Sequence, residues 1–205
     1  MRCRVKICGI TNVEDALMVC RHGADALGFV FYAKSPRYVS PEKANDIVAQ
    51  LPPFITPVAL FVNAEEAEIR TVIDRNPRWM IQFHGDEDES ACLHYQRPYM
   101  KAFRVKKEDN IIDLIDAYPS ASAVLLDAYK AGVPGGTGEM FDWSLIPSNL
   151  NKPLVLAGGL TPENVGQAVE QVAPYAIDVS GGVELSKGLK SEAKVTAFMN
   201  GAKCE

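Results

Sequence analysis

Two short apolar runs late in the chain each end in a pair of glycines: residues 156–163 read LAGGLTPE and residues 177–183 read IDVSGGV. After the first run we expect a helix to begin at once, with Thr161 as its N-cap and Pro162 at its first position. Glycines at such a turn let backbone N–H groups approach an anion, and a helix N-terminus adds favourable partial charge. Either turn alone could be an ordinary strand-to-helix connection. Two of them after consecutive late strands are typical of the phosphate site of a (β/α)8 barrel.

The same strand-then-helix pattern repeats from one end of the chain to the other. We predict strands at residues 3–8, 26–31, 56–62, 79–84, 99–103, 123–127, 153–157 and 176–179. Helices are expected near residues 12–22, 41–50, 64–75, 87–96, 110–117, 142–146, 162–172 and 191–200. Eight such units suggest either a closed parallel barrel or a doubly wound open sheet. The even count and the late glycine turns favour a single-domain (β/α)8 TIM barrel over residues 1–205.

Local signals at the helix starts support this pattern. Thr11 followed by Glu14, and Asn63 followed by Glu66, fit an N-cap with an acidic residue three positions later. Ser40-Pro41 fits an N-cap followed by a proline at the first helical position. The sixth helix is the weakest prediction because Pro147 leaves it little room.

The charge of the chain limits its partners. The 205 residues carry a formal charge of −5 and a pI near 5.3, and their basic residues are scattered. We therefore expect no nucleic-acid partner and no anionic membrane surface. No apolar run is long enough for a membrane span, and the chain enters its first strand without a secretory signal pattern.

Cysteine and histidine positions bear on compartment and metals. The five cysteines are dispersed without a C-x-x-C pair, and the three histidines form no metal-ligand spacing with them. We predict a cytoplasmic protein in a reducing compartment, with no metal site.

A long glycine-rich connection separates the sixth strand from Trp143. It lacks the Gly-Lys-[Ser/Thr] ending of a nucleotide P-loop and contains no G-x-G-x-x-G. A loop of this length in a compact chain is usually functional or disordered. We interpret it as a mobile lid over the site, with a floppy loop as the alternative.

Strand alternation places polar side chains inside the predicted barrel. The inward positions, judged by an apolar opposite face, are Lys6, Cys8, Gln82, His84, Asp127 and Asp178. Four of them end their strands, where barrel enzymes place catalytic groups. Each has a plainer alternative: a buried thiol, a hydrogen-bonded structural histidine, a carboxylate that caps a loop, or an ion pair with Lys6. Together they predict an active site at the carboxyl ends of the strands.

Several motifs resemble phosphoribosylanthranilate isomerases, in order and over the whole chain. They are residues 6–11 (KICGIT), 35–38 (SPRY), 82–85 (QFHG), 126–128 (LDA), 135–138 (GGTG), 141–143 (FDW), 156–160 (LAGGL) and 178–180 (DVS). One departure is Gly181, where that family is expected to have a second serine. A phosphate site made of backbone amides would tolerate the glycine.

The resemblance implies an Amadori rearrangement in tryptophan biosynthesis, from N-(5-phosphoribosyl)anthranilate to 1-(o-carboxyphenylamino)-1-deoxyribulose 5-phosphate. It implies that Asp127 is the general acid that opens the sugar ring and that Cys8 is the general base, with a thiol pKa lowered by Lys6. It implies that Arg37 holds the substrate carboxylate and that Asp178 orients a hydroxyl. Further expected contacts with the substrate come from Lys6, Gln82 and His84. The implied phosphate site is Gly158, Gly159, Ser180 and Gly181, and the implied lid is Gly135, Gly136, Thr137 and Gly138.

No metal or organic cofactor is expected, because the substrate's own nitrogen can accept the electrons. The expected partner is a small phosphorylated substrate, and the chain is a monomer or a homodimer. Another sugar-phosphate isomerase is disfavoured: a metal-dependent epimerase needs several histidine ligands, and a triose-type isomerase needs a glutamate where this chain has Asp127. A non-catalytic barrel that binds a phosphorylated metabolite would have the same glycine turns but no need for Cys8 beside Asp127.

Overall fold

A closed barrel of eight parallel strands forms the centre of the molecule. The computed structural model describes residues 3–106, 108–127 and 143–203. Each strand pairs with the next in sequence, and β1 closes the barrel by pairing with β8. The strands are β1 (Arg4–Cys8), β2 (Ala26–Val30), β3 (Thr56–Phe61), β4 (Met80–Phe83), β5 (Tyr99–Arg104), β6 (Ala123–Asp127), β7 (Leu154–Ala157) and β8 (Ala176–Val179). The predicted (β/α)8 barrel is therefore confirmed, and the open sheet is excluded.

Helices on the outside of the barrel connect the strands. They are α1 (Val13–Arg21), α2 (Pro41–Val48), α3 (Glu66–Ile73), α4 (Glu89–Leu93), α5 (Ile111–Asp116), α6 (Val165–Val172) and α7 (Glu192–Gly201). Between β6 and β7 the sequence predicted a sixth helix over residues 142–146. The described residues of this connection show only a 3₁₀ turn, Trp143–Leu145. Among the described residues, no helix is both long and apolar enough to span a membrane.

Three predicted helix starts were wrong. The N-cap of α1 is Asn12, whose side chain accepts from the Asp15 N–H, while the Thr11 hydroxyl donates to the Gly188 carbonyl at 2.6 Å. Asn63 has a left-handed backbone (φ 49°), so α3 is capped by Glu65 instead.

The third correction concerns the first glycine turn. Residues 161–164 form a turn that leads into α6: the Thr161 hydroxyl accepts from the Glu163 N–H at 3.3 Å, and the Thr161 carbonyl accepts from both Asn164 and Val165. The helix itself begins only at Val165, with Asn164 as its N-cap. The α6 N-terminus is thus further from Gly159 than the sequence predicted. Ser40, in contrast, caps α2 as expected, with Pro41 at the first position.

Two apolar layers hold the barrel together. The larger one lies between strands and helices and includes Ile7, Leu27, Phe29, Trp79 and Phe198, all almost inaccessible to water. A smaller cluster fills the barrel itself with alternate strand residues such as Val58, Met100, Leu125 and Val155. Inward side chains therefore alternate with helix-facing ones, and these apolar residues lie inside the barrel.

An antiparallel hairpin that the sequence pattern did not predict follows β8. A 3₁₀ turn, Gly181–Val183, leads into β9 (Glu184–Ser186), which pairs with β10 (Leu189–Lys190). We call residues 184–190 the rim hairpin. It is fixed to the start of the chain because Thr11 binds the Gly188 carbonyl and Asp15 accepts the Lys190 backbone N–H at 2.8 Å.

Candidate active site

An open cavity of about 650 Å³ lies at the carboxyl ends of the strands. The predicted residues that line it are Cys8, Arg37, Gln82, His84, Asp127, Gly158, Gly159, Asp178, Ser180 and Gly181. Lys6 lies deeper, below this cavity. The predicted lid residues Gly135, Gly136, Thr137 and Gly138 lie outside the described residues. Residues that are far apart in the sequence therefore line a single cavity at the carboxyl ends of the strands.

Cys8 ends β1 with its side chain in the barrel and only 6% exposed. Gly28 lies beside it in register on β2, and a Cβ there would come within 2.6 Å of the Cys8 sulfur. Gly28 therefore provides the space that the thiol occupies. Gly28 was not among the predicted site residues, although an isolated glycine in a strand indicates a close approach of another group.

The expected lowering of the Cys8 pKa is not found. Burial raises the pKa of the Cys8 thiol, because a thiolate without water is costly, and Asp178 raises it further. Lys6 and Lys190 act in the opposite direction without outweighing burial. With its pKa raised by burial, Cys8 is therefore a protonated thiol at neutral pH.

Lys6 and Asp178 form a buried ion pair across β1 and β8. The two residues are in register, and the Lys6 ammonium lies 2.9 Å from the Asp178 carboxylate. Desolvation disfavours the charge on Lys6, but the attraction of Asp178, with a smaller contribution from Cys8, leaves the pKa of Lys6 raised. Lys6 is thus a charged group that lies below the cavity. It influences the cavity through its interactions with Asp178 and Cys8.

Gln82, His84 and Asp127 form a chain across β4 and β6. The Gln82 amide nitrogen lies 3.2 Å from His84 Nδ1, and His84 Nε2 lies 3.5 Å from an Asp127 carboxylate oxygen. An amide NH₂ is a donor only, so it favours the tautomer in which the His84 proton is on Nε2 and faces Asp127. The Gln82 side-chain oxygen is buried and has no hydrogen-bond partner within the described residues.

Glycine backbone at the ends of β7 and β8 makes up another part of the cavity wall. Gly158 and Gly159 have φ of 89° and 66°, a conformation that residues with a Cβ rarely adopt. A Cβ on Gly182 would collide with the Leu160 carbonyl oxygen, so the two glycine turns lie directly against each other. The Ser180 hydroxyl is buried without a hydrogen-bond partner among the residues described. The 3₁₀ turn at Gly181–Val183, rather than α6, is the helical start adjacent to this cradle.

Arg37 reaches the cavity from the loop after β2. Its guanidinium makes two hydrogen bonds to the Glu184 carboxylate, at 2.8 Å from Nε and 2.7 Å from Nη2. This pairing, and not burial, is the main cause of a raised pKa of Arg37. A Cβ at Gly181 would lie 3.4 Å from Nη2, so Arg37 is immediately beside the second glycine turn.

Comparison with known proteins identifies the family of this arrangement. The family model described as N-(5'phosphoribosyl)anthranilate (PRA) isomerase matches residues 5–201. The chain belongs to the PRA isomerase family. The predicted resemblance is confirmed, and with it the predicted reaction: this chain is an enzyme that isomerises N-(5-phosphoribosyl)anthranilate in tryptophan biosynthesis.

Individual relatives agree with this assignment. The N-(5'-phosphoribosyl)anthranilate isomerase of Marinomonas sp. (strain MWYL1) is 70% identical over 204 residues, which is 100% of each chain. A solved PRA isomerase in complex with reduced 1-(o-carboxyphenylamino)-1-deoxyribulose 5-phosphate is 39% identical, with a TM-score of 0.82 over 98% of each chain. A monomeric form of the dimeric enzyme from Thermotoga maritima is 40% identical, with a TM-score of 0.85 and the same coverage.

Three further residues contact the cavity residues of this PRA isomerase and were not predicted from the sequence pattern. Glu184 and Lys190 hold the rim hairpin against Arg37 and the Cys8 backbone, and Gly182 permits contact between the two glycine turns. Gly182 lies in the run IDVSGGV (residues 177–183), but its role in the contact between the two glycine turns depends on packing against Leu160. Glu184 and Lys190 lie on a hairpin that has no alternating pattern long enough to predict.

Proposed function

We propose that Cys8 is the general base and Asp127 the general acid of the isomerisation. The observation that carries this proposal is that a thiol, a carboxyl group and a cradle of bare glycine backbone line one cavity of about 650 Å³. Asp127 donates a proton to the ring oxygen of the ribose, so that the C1–O bond breaks and a Schiff base forms with the anthranilate nitrogen. Cys8 then removes the proton from C2, and the electrons move to the nitrogen. The resulting enol tautomerises to the ketone.

The thiol must lose its proton before it can act as a base. Lys6 and Lys190 favour the thiolate, while burial opposes it. Asp178 receives an ammonium hydrogen bond from Lys6 and lies on the cavity wall, where it can orient a substrate hydroxyl. Its charge is balanced by Lys6, so the pair adds no net charge next to Cys8.

The two ends of the substrate have separate receptors. The phosphate fits the cradle of Gly158, Gly159, Ser180 and Gly181, where backbone amides are available together with a Ser180 hydroxyl that has no partner in the described part of the chain. The anthranilate carboxylate fits Arg37, whose planar guanidinium suits a carboxylate. Gln82 and His84 lie at the end of β4, on another part of the cavity wall; we propose that they contact the sugar and keep Asp127 in place.

Substitution of the two reacting groups tests these roles. Cys8→Ala and Asp127→Asn should each lower kcat by at least about 100-fold, because each removes a general acid or base. The decay of substrate fluorescence with freshly prepared N-(5-phosphoribosyl)anthranilate measures kcat directly. Cys20→Ala, in α1 and away from the cavity, is the matched control and should retain wild-type kcat. A kcat within about threefold of wild type for either site variant would remove that residue from the mechanism.

We propose further that residues 1–205 act as one domain that assembles as a homodimer in the cytoplasm. Closure of the barrel between β1 and β8 supports a single domain. A second cavity, of about 400 Å³, opens at the amino ends of the strands beside Phe54, which is 95% exposed. Apolar residues make up most of the lining of this cavity, which also includes Arg4, Lys6 and Asp25. An exposed ring beside such an opening suits a self-complementary interface. Free thiols at Cys3, Cys8, Cys20 and Cys92 support a reducing compartment.

A further inference from the structure

Glu184 is a buried carboxylate with three cationic or polar partners. Its side chain is 5% exposed, and it accepts hydrogen bonds from Arg37, from the Lys190 ammonium at 2.9 Å and from the Gly188 backbone at 3.3 Å. Burial raises the pKa of Glu184, but Arg37 and Lys190 outweigh burial and leave that pKa lowered. Glu184 is therefore charged at neutral pH, although almost no water reaches it.

Lys190 fastens Glu184 to the catalytic end of the barrel. Its ammonium is inaccessible to solvent and lies 2.6 Å from the Cys8 carbonyl, 3.3 Å from the Ser180 carbonyl and 2.9 Å from Glu184. All three N–H groups of the ammonium are used in this way. One side chain thus connects the strand that carries the base, the turn that carries the phosphate cradle, and the partner of Arg37.

The Arg37 guanidinium is held on one edge and open on the other. Glu184 occupies the edge formed by Nε and one Nη2 hydrogen. The other N–H groups of the guanidinium have no hydrogen-bond partner among the residues that the structure describes. A guanidinium can pair with a second carboxylate through its Nη1–Nη2 edge, so Glu184 does not compete with a ligand there.

The stem of Arg37 is fixed as well. Gly9 has φ of 79°, and a Cβ on it would come within 2.6 Å of the Arg37 Cδ. The aliphatic stem therefore lies directly on the Gly9 backbone while Glu184 fixes the head group. An arginine side chain otherwise loses considerable rotamer entropy when it binds a ligand, and here that loss occurs before the ligand arrives.

We propose that Glu184, anchored by Lys190, is a positioning residue that presents the free edge of Arg37 to the carboxylate of the substrate and so sets the preference for a carboxylated aromatic amine. This inference rests on the proposed role of Arg37. The rim hairpin would then contribute to substrate specificity, in addition to connecting β8 to α7.

Binding of two ligands that differ only in the carboxylate tests the proposal. The probes are reduced 1-(o-carboxyphenylamino)-1-deoxyribulose 5-phosphate and the same compound without the carboxyl group, titrated by calorimetry. Glu184→Gln places an amide NH₂ opposite cationic donors, so one edge contact is lost. We expect at least about tenfold weaker binding of the carboxylated probe and less than about threefold change for the other.

A double-mutant cycle shows whether Glu184 acts through Arg37. In an Arg37→Ala background, Glu184→Gln should weaken the carboxylated probe no further, because the group that it positions is gone. Glu42→Gln is the matched control, since it removes the carboxylate of an exposed Glu–Arg pair, with Arg75 at 3.2 Å, and should change neither affinity. Equal loss of both probes in Glu184→Gln, or no loss of either, overturns the proposal.

Two outcomes separate this inference from the role of Arg37. If Arg37→Ala abolishes the preference for the carboxylated probe while Glu184→Gln keeps it, only the positioning role fails. If Arg37→Ala itself keeps the preference, the assignment of Arg37 fails. Should Glu184→Gln not fold, Arg37→Lys keeps the charge but not the fork. It is expected to lose the preference as Arg37→Ala does, and wild-type preference in Arg37→Lys overturns the proposal.

Discussion

The two ends of the barrel follow the same inward alternation of strand residues, yet they differ in chemistry. At the carboxyl ends, the cavity is lined by Cys8, His84, Asp127 and glycine backbone. At the amino ends, the second cavity is lined largely by apolar side chains such as Val58, Met80 and Met100, with Phe54 at its edge. Packing of this barrel thus needs apolar side chains mainly at one end, which leaves the other end available for reactive groups.

Lys6 lies at the boundary between these two ends. Lys6 lines the cavity at the strand amino ends, while its ammonium contacts Asp178, which lines the cavity at the carboxyl ends. A buried charge without a partner would be costly, so the ion pair allows a lysine in the apolar interior. The difference between the ends can be tested by substitutions that should affect one end and spare the other.

The largest effect after the two reacting groups is expected at Gly182. Gly182→Ala forces a Cβ against the Leu160 carbonyl and should separate the two glycine turns, with KM for the substrate raised at least about tenfold. Gly166→Ala, in α6, is the matched control because its Cβ meets nothing closer than 3.5 Å. That control should keep KM and gain up to about 1 kcal/mol of stability. Unchanged KM in Gly182→Ala would show that the cradle does not bind the phosphate.

The pH titration of Cys8 tests how far burial changes the pKa of its thiol from that of an ordinary, exposed cysteine. Burial raises the pKa of the thiol, so in the absence of substrate its thiolate should appear only at a pH above that of an ordinary cysteine. The difference in thiolate ultraviolet absorbance between wild type and Cys8→Ser, followed as pH rises, gives the midpoint. A midpoint at or below the ordinary cysteine value would contradict the assigned effect of burial.

A smaller effect is expected at Gly181, where the family resemblance led us to expect serine. A Cβ there would make an ordinary contact with Arg37 Nη2 at 3.4 Å. Gly181→Ser should therefore fold normally and change KM by less than about threefold, because the added hydroxyl supplements the backbone donors. Steady-state kinetics measures this, and a tenfold rise in KM would show that the site has no room for the side chain.

The smallest effect on catalysis is expected at the opposite end. Phe54→Glu places a charge on the exposed ring position beside the second cavity and should convert the proposed dimer into monomers while kcat is unchanged. Sedimentation analysis and the fluorescence assay give the two readouts. A wild-type protein that sediments as a monomer would remove the proposed interface.

The barrel was predictable because its signals are local and repeated. Alternating apolar runs gave every strand to within a residue or two, and Ser40-Pro41 gave the start of α2. The glycine pair at residues 158–159 was recognisable because the backbone there adopts a conformation that favours glycine. The inward placement of Cys8 and Asp178 followed from counting alternate residues along β1 and β8.

Other features depend on contacts between distant segments, which a sequence pattern does not contain. The sequence around Glu184 does not distinguish it from a glutamate on the surface. Its pairing with Arg37 depends on the position of the rim hairpin. Thr161 accepts the Glu163 N–H as a capping residue would, but residues 161–164 form a turn and α6 begins only at Val165. The direction of the Cys8 pKa shift was wrong for the same reason: the sequence shows Lys6 nearby but not the extent of burial.

A crystal structure of this chain with reduced 1-(o-carboxyphenylamino)-1-deoxyribulose 5-phosphate tests the central claim most directly. We expect the phosphate on Gly158, Gly159 and Gly181, the carboxylate on Arg37, and the Cys8 sulfur within about 3.5 Å of C2 of the sugar. Asp127 should lie on the side of the ring oxygen. A ligand whose C2 lies beyond reach of Cys8, or whose phosphate binds away from the two glycine turns, would contradict the account.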